Sequence, residues 1–311
     1  MKKFLPAIFV AVLAIVATAY YALPQRSAAP LIALNRMSAG MQEHAVKVGA
    51  HTVHYLSAGS GMPVILLHGI FAEKDHWVDF ARALKGPYQL LVPDLPGFGR
   101  SGRLDNQSYS YAAQVERLLA WMDTMGIQKA HLAGNSMGGT LAALFAQRYP
   151  QRVLSLAFIG APHGIRTPQP SAMDGQIDSG ASSILIPTTE RAFEDMLDML
   201  FEKRPFLPYP IAQRALAGAL RDAPSNERIW KEQLADRYLL DERIGALTLP
   251  MLVLWGAQDR LFDASGSTVL QQRLRHATVQ VLPSVGHLLM MEVPSASAKV
   301  YGDFLARHNG Q

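Results

Sequence analysis

The chain has 311 residues, no cysteine, and 29 Lys+Arg against 25 Asp+Glu, a formal net charge of +4. Without cysteine there can be no disulfide, zinc–thiolate site, lipoprotein cysteine or cysteine nucleophile, and a mild charge without basic runs argues against nucleic acid. Hydrophobic residues make up 49% and charged residues 17%, below the roughly 25% charged of ordinary soluble domains. A membrane segment or an apolar binding surface would each produce that balance, and the length allows one large core with an inserted cap.

Met1-Lys2-Lys3 precedes an apolar run from Phe4 to Leu23. About 20 apolar residues just span a bilayer, and Tyr20 and Tyr21 would stand in the interfacial belt. Residues 1–23 are therefore expected to be an uncleaved membrane anchor. The competing reading is a secretory signal removed near Ala17-Thr18-Ala19. In either case Lys2 and Lys3 hold the N-terminus in the cytoplasm. The folded part then lies on the non-cytoplasmic side, periplasmic in a Gram-negative source, or is secreted after cleavage. Residues 24–43 read as a linker with some amphipathic character.

His44 to Ser57 alternates around Gly49-Ala50, an antiparallel hairpin. Pro63 to His68 and Tyr88 to Val92 are continuous apolar runs, as in strands buried on both faces of a parallel sheet. Between them Asp75 to Leu84 reads as a helix. Tyr111, Val115, Leu118, Leu119 and Met122 follow helical spacing over 110–125, and Gly126 ends that helix. Lys129 to Asn135 and Val153 to Gly160 are further strands, with a helix from Met137 to Tyr149 between them. This rhythm predicts an α/β fold, a mostly parallel eight-stranded sheet flanked by helices. It breaks after Pro162. Residues 163–187 show little periodicity. Helices are then expected around Phe193–Phe201, Ile211–Leu220 and Ile229–Tyr238. Residues 163–245 are thus read as an inserted helical cap, and 44–162 with 246–311 as the core. Met251 to Trp255 and Thr278 to Leu282 complete the sheet, with helices near 266–275 and 295–307.

Gly134-Asn135-Ser136-Met137-Gly138 is G-x-S-x-G between a strand and a helix, the setting of a nucleophile elbow. A serine hydroxyl needs an adjacent base, and the base an orienting partner. In open parallel sheets such residues lie beyond the carboxyl ends of strands. Asp259 follows the strand ending at Trp255, and His287 follows the last strand, giving the order Ser…Asp…His. Ser136, His287 and Asp259 are therefore the candidate nucleophile, base and orienting acid. Asp263 is the rival acid. Asp94 reads as a structural turn residue, and His68 as a support for the loop after the first buried strand. A tetrahedral intermediate needs two backbone N–H donors. Met137, following the nucleophile, and Ile70 in the His68-Gly69-Ile70 loop fill that role by position, with Phe71 as the alternative to Ile70. Phe71, His163 and Leu197 are candidates for lining the substrate pocket. No metal or cofactor is expected, because no ligand cluster appears and the chemistry needs none.

The blocks HGIFAEKDHW, DLPGFGRS, LAGNSMGG, the GAQD turn and the terminal SVGH together resemble the α/β-hydrolase superfamily over about residues 44–308. The first block, with Lys74 and Trp77, and the elbow GNSMGG are similar to membrane-anchored monoacylglycerol lipases and nearby bacterial lipases. That resemblance implies hydrolysis of carboxylic esters, acyl glycerols among them. The expected partners are a lipophilic ester and, through the N-terminal segment, a membrane; no obligate protein partner is evident. Ser136 argues against the aspartate-dependent dehalogenases and epoxide hydrolases of this fold. Carbon–carbon bond hydrolases and cofactor-free haloperoxidases or perhydrolases keep the serine and stay open at this stage. A non-catalytic lipid carrier would have a broken triad, whereas all three residues are present.

Overall fold

The computed structural model of the chain describes residues 5–84 and 86–308. Two helices come first, α1 (Leu5–Ala22) and α2 (Pro24–Ser38), then the hairpin β1 (Gln42–Val48) and β2 (His51–Ala58). Alternation follows: β3 (Met62–Leu67), α3 (Val78–Ala83), β4 (Tyr88–Pro93), α4 (Tyr111–Thr124), β5 (Ala130–Ser136), α5 (Met137–Arg148) and β6 (Val153–Pro162). Four helices interrupt it: α6 (Ala172–Asp178), α7 (Glu190–Leu200), α8 (Tyr209–Ala235) and α9 (Leu239–Arg243). β7 (Met251–Gly256), α10 (Ser265–Arg273), β8 (Ala277–Leu282), α11 (Leu289–Glu292) and α12 (Pro294–Ala306) complete the described chain.

The eight strands form one sheet in the order β1-β2-β4-β3-β5-β6-β7-β8. β2 runs antiparallel to β1 and β4, and every other neighbouring pair is parallel. β5 and β7 are buried along their whole length, which is why β7 reads as an unbroken apolar run rather than an alternating one. Trp121 of α4, Phe145 of α5 and Leu270 of α10 join one core with Leu132 and Phe158, while Trp77, Phe80, Tyr301 and Phe304 join the other with Leu66 and Leu254. Burying each such side chain contributes about 2–3 kcal/mol. Because β3, β5, β6, β7 and β8 are parallel, the loops that follow them open on one edge of the sheet.

The structure departs from the sequence expectations in three places. Residues 24–38, expected as a linker, are the helix α2, with Pro24 in the first turn, where a missing N–H costs nothing. The helix is held by Arg36, whose guanidinium donates to both Asp75 carboxylate oxygens at 2.6 and 2.5 Å and to Glu43 at 2.6 Å. Those partners are remote or across a turn, so local periodicity could not reveal them. The two helices expected over 211–220 and 229–238 are one, α8, with Pro224 inside it. Proline removes one helix donor, but buried Ile229 and Trp230 and the Gln233 Nε2 bond to the Tyr109 carbonyl (2.6 Å) hold the second half in line. The stretch expected to be irregular contains α6, opened by a Ser171–Asp174 capping box.

Met1 to Phe4, and with them Lys2 and Lys3 of the expected anchor, lie outside the described residues. Among the described residues no helix is long and apolar enough to cross a membrane.

Under the sheet edge, the fully buried Lys74 ammonium donates to Asp94 Oδ2 at 2.7 Å. The backbone N–H groups of Lys74 and Arg100 donate to the same carboxylate at 2.8 and 2.9 Å. Removing one partner of such a pair leaves an uncompensated buried charge. Lys74→Met is expected to lower unfolding free energy by about 3–5 kcal/mol, read from urea denaturation near neutral pH. A loss below about 1 kcal/mol, the scale of an exposed pair, would show that the pair does not hold this corner of the fold.

Candidate active site

Ser136 sits where β5 turns into α5, at φ 53° and ψ −122°. A non-glycine residue in that region is strained, and the surrounding backbone must enforce it. The enforcement is steric. A Cβ on Gly138 would stand 2.3 and 2.5 Å from the Leu67 and His68 carbonyl oxygens, and one on Gly134 would stand 2.3 Å from Gly138 itself. Only glycine at both positions lets β5, α5 and the end of β3 approach so closely.

Asp259 follows β7 and His287 follows β8. His287 Nδ1 donates to Asp259 Oδ2 at 2.8 Å, and Asp259 Oδ1 accepts from the Leu261 and Phe262 N–H groups, each at 2.9 Å. Both residues are buried. A neutral imidazole that donates from Nδ1 carries its lone pair on Nε2. The rival Asp263 is occupied elsewhere, accepting from the Ser265 N–H at 2.9 Å. Three further bonds fix the histidine loop. The His287 N–H donates to the Leu200 carbonyl at 2.9 Å, the His287 carbonyl accepts from Asn135 Nδ2 at 3.2 Å, and Glu292 accepts from the Gly286 N–H at 3.0 Å. Glu292 also accepts from the Glu202 and Lys203 N–H groups at 3.2 and 2.8 Å, so one carboxylate joins the histidine loop to the segment after α7. Nothing in the sequence around Glu292 marks it for that role.

The loop after β3 carries Ile70 and Phe71, and Phe71 has φ 57°. Among the described residues neither the Ile70 nor the Phe71 N–H makes a hydrogen bond. His68 beneath them accepts from the Leu95 N–H at Nε2 (2.9 Å) and donates from Nδ1 to the Gly69 carbonyl (2.7 Å). Its ring therefore clamps the base of this loop to the end of β4, and burial holds its pKa below the ordinary value. Met137 opens α5 on the other side of Ser136, and the first N–H groups of a helix have no intrahelical acceptor.

Ser136 and His287 line a common cavity of about 780 Å³. Phe71 and Leu197 line it as well, and so do Phe193, Met196 and Leu200 from α7. α8 forms a second wall, and Gln25, Ile32 and Asn35 of α2 contribute a third. The α2 contribution comes from a segment whose sequence predicts a linker. His163 is not in this lining. It faces a separate small space shared with Ser136, Met137 and Ile70, where Tyr111 Oη bonds its Nδ1 at 3.0 Å and the two rings stack. Burial pushes its pKa down to about 4, so it is a neutral ring at neutral pH.

An α/β hydrolase fold family model matches residues 62–180. A monoacylglycerol lipase of Xenopus laevis is 33% identical over 288 residues, covering 87% of this chain and 84% of the relative. The chain belongs to the α/β-hydrolase family. Lipase 1 of Psychrobacter immobilis is 30% identical over 250 residues, 79% of this chain and 77% of that lipase. The crystal structure of a bacterial membrane phospholipase A matches this hydrolase with a TM-score of 0.89 and 34% identity, covering 100% of each chain.

The buried histidines of this hydrolase give its stability a pH dependence. His76 and His163 are pushed by burial from the ordinary 6.5 to about 4, and His68 is lowered too. The folded state thus binds fewer protons than the unfolded chain between those values, and stability falls as pH drops through that window. Glu73, raised to about 7 by burial, acts in the opposite sense but is one group against several, since His51 and His54 are lowered as well. The thermal midpoint is expected to fall steadily between about pH 6.5 and pH 4, with a shallower fall in His163→Phe. A midpoint flat or rising over that range would contradict the neutral state of these rings.

Proposed function

We propose that this chain hydrolyses lipophilic carboxylic esters, acyl glycerols among them, through an acyl-enzyme on Ser136. The observation that carries the proposal is the convergence of a strained serine and an Asp259-bound histidine on one cavity with an apolar helical wall. Ser136 Oγ attacks the ester carbonyl while His287 Nε2 takes its proton. Asp259 keeps the ring in the Nδ1–H tautomer and stabilises the imidazolium that forms. The N–H groups of Met137 and Ile70 receive the developing oxyanion, their position backed by the absence of competing acceptors at Ile70. His287 then protonates the departing alcohol, and water, activated by the same ring, releases the acid.

Residues 163–245 act in this reading as a cap whose α7 face (Phe193, Met196, Leu197, Leu200) receives the acyl chain. Support for a lipid ester comes from those apolar linings and from relatives named monoacylglycerol lipase and lipase. We further propose that the N-terminal segment holds the enzyme at a membrane, with the catalytic domain on the non-cytoplasmic side. The supports are the apolar run ending at Leu23 and a cluster of Tyr20, Tyr21 and Tyr209, in which the Tyr209 N–H donates to Tyr20 Oη at 3.1 Å.

Ser136→Ala is expected to abolish both monoacylglycerol turnover and fluorophosphonate labelling. Asp259→Asn, which offers the wrong partner to the ring, should lower kcat by about 10⁴ while labelling slows. Full turnover by the alanine variant would overturn the nucleophile assignment. An Asp259→Asn variant with wild-type kcat would remove Asp259 from the mechanism.

A further inference from the structure

The cavity above Ser136 is not uniformly apolar. Glu73 and His76 line it from one turn of the loop after β3, with the His76 N–H bonded to the Glu73 carbonyl at 3.1 Å. Glu73 is three residues beyond Ile70, and Arg214 lines the same cavity from α8.

Most of the other charged residues of the lining have partners; among the described residues Glu190 is the exception, and it is exposed. Arg100 donates to Glu43 at 2.8 Å, Arg103 to the Gly97 carbonyl at 3.0 Å, Arg221 to Asp222 at 2.8 Å, and Asp75 is held by Arg36. Among the described residues neither the Glu73 carboxyl nor the Arg214 guanidinium makes a hydrogen bond or ion pair, although the Arg214 charge is near enough to act on Glu73. His76 Nδ1 is buried with no partner. Glu73 and Arg214 are only partly buried and keep surface open to that cavity, and two unpaired, oppositely charged groups facing a cavity that Ser136 also lines form an arrangement that a ligand would satisfy.

We propose that Glu73, His76 and Arg214 form a polar subsite that binds the hydroxyl groups of a glyceryl leaving group and so selects glyceryl esters over simple alkyl esters. The proposal rests on the ester-hydrolase reading above and deepens it. A hydroxyl donates to a carboxylate and accepts from a guanidinium, so a vicinal or terminal pair of hydroxyls satisfies the acid and the base together. An acyl tail placed there would leave all three groups dry and unpaired, and it has the α7 wall instead. Burial raises the Glu73 carboxyl to about 7 and keeps the His76 ring neutral, so around neutral pH the pair can donate to an alcohol as well as accept from it. The geometry also suits turnover, because the alcohol is the half of the ester that must leave first, and polar groups at the mouth of the oxyanion loop would orient its oxygen toward His287.

The test compares kcat/KM of the full chain on 1-monolauroylglycerol and on methyl laurate, in the same detergent, and reads the ratio of the two. Glu73→Ala and Arg214→Ala should each lower that ratio about tenfold or more, the effect of losing one hydrogen bond to a charged group, and Arg214→Lys should restore part of it. A ratio unchanged in both alanine variants overturns the subsite, whatever happens to either rate alone. A larger loss on lauroyl lysophosphatidylcholine than on monolauroylglycerol overturns the glyceryl assignment in favour of a charged headgroup. A wild-type chain inert toward all three esters overturns the hydrolase reading, and the subsite falls with it.

Discussion

The contact on which the rest depends is the one between Gly138 and the Leu67 and His68 carbonyl oxygens, where a side chain would stand 2.3 and 2.5 Å from backbone. It lets the start of α5 sit against the end of β3. That closeness forces Ser136 to φ 53°, places the Met137 N–H beside the serine, and brings the Ile70 loop opposite it. The strain in the elbow is not a local choice of the residues in it. It is a consequence of two parallel strands being neighbours, and each side of the contact is held by bonds from farther away.

Those bonds are largely electrostatic, and they form two groups. Below the loop after β3, the buried Lys74–Asp94 pair and the His68 ring tie the loop to the end of β4. Arg36 extends the first group outward through Asp75 and Glu43, which also approach Lys74 Nζ at 3.7 and 3.4 Å, so α2 is fastened to the same corner. On the other side, Glu292 and the His287 N–H hold the histidine loop to the chain around Leu200. A buried charge is retained only if paired, so these networks make the corner of the site rigid where the cap and core meet. The unpaired Glu73 and Arg214 stand out against that background, since nearly every other charge near the cavity has a protein partner.

The helices inserted after β6 join these corners to the N-terminal helices. α7 offers an apolar wall, α8 a long mixed one, and the connection between them ends at Tyr209 against Tyr20 and Tyr21. The cavity is walled by α2, remote in sequence, and by the consecutive helices α7 and α8. Its apolar lining comes largely from α7, while polar groups enter from the loop after β3 and from α8 itself, Arg214 among them.

The core was legible in the sequence because its strands are buried on both faces. Val64–Leu67, Leu132 and Leu252–Trp255 carry no polar residue that could face water, and the loops after them take their residues to one edge of the sheet. Gly134 and Gly138 were legible for a steric reason, and Asp259 and His287 because each follows a strand that the pattern already defines. Helix α2 was not legible, because Arg36 is fixed by Asp75 and Glu43, which lie outside the helix. The continuity of α8 was not legible either, because the cost of Pro224 inside the helix is outweighed only by contacts with Tyr109 and the core. What the sequence by itself determined is the sheet, the elbow and the chain order of the candidate reactive side chains, since these follow from local periodicity and backbone sterics. What only the tertiary structure decided is which charges find partners and which face the cavity unpaired, since that depends on distances between residues as remote as Glu73 and Arg214.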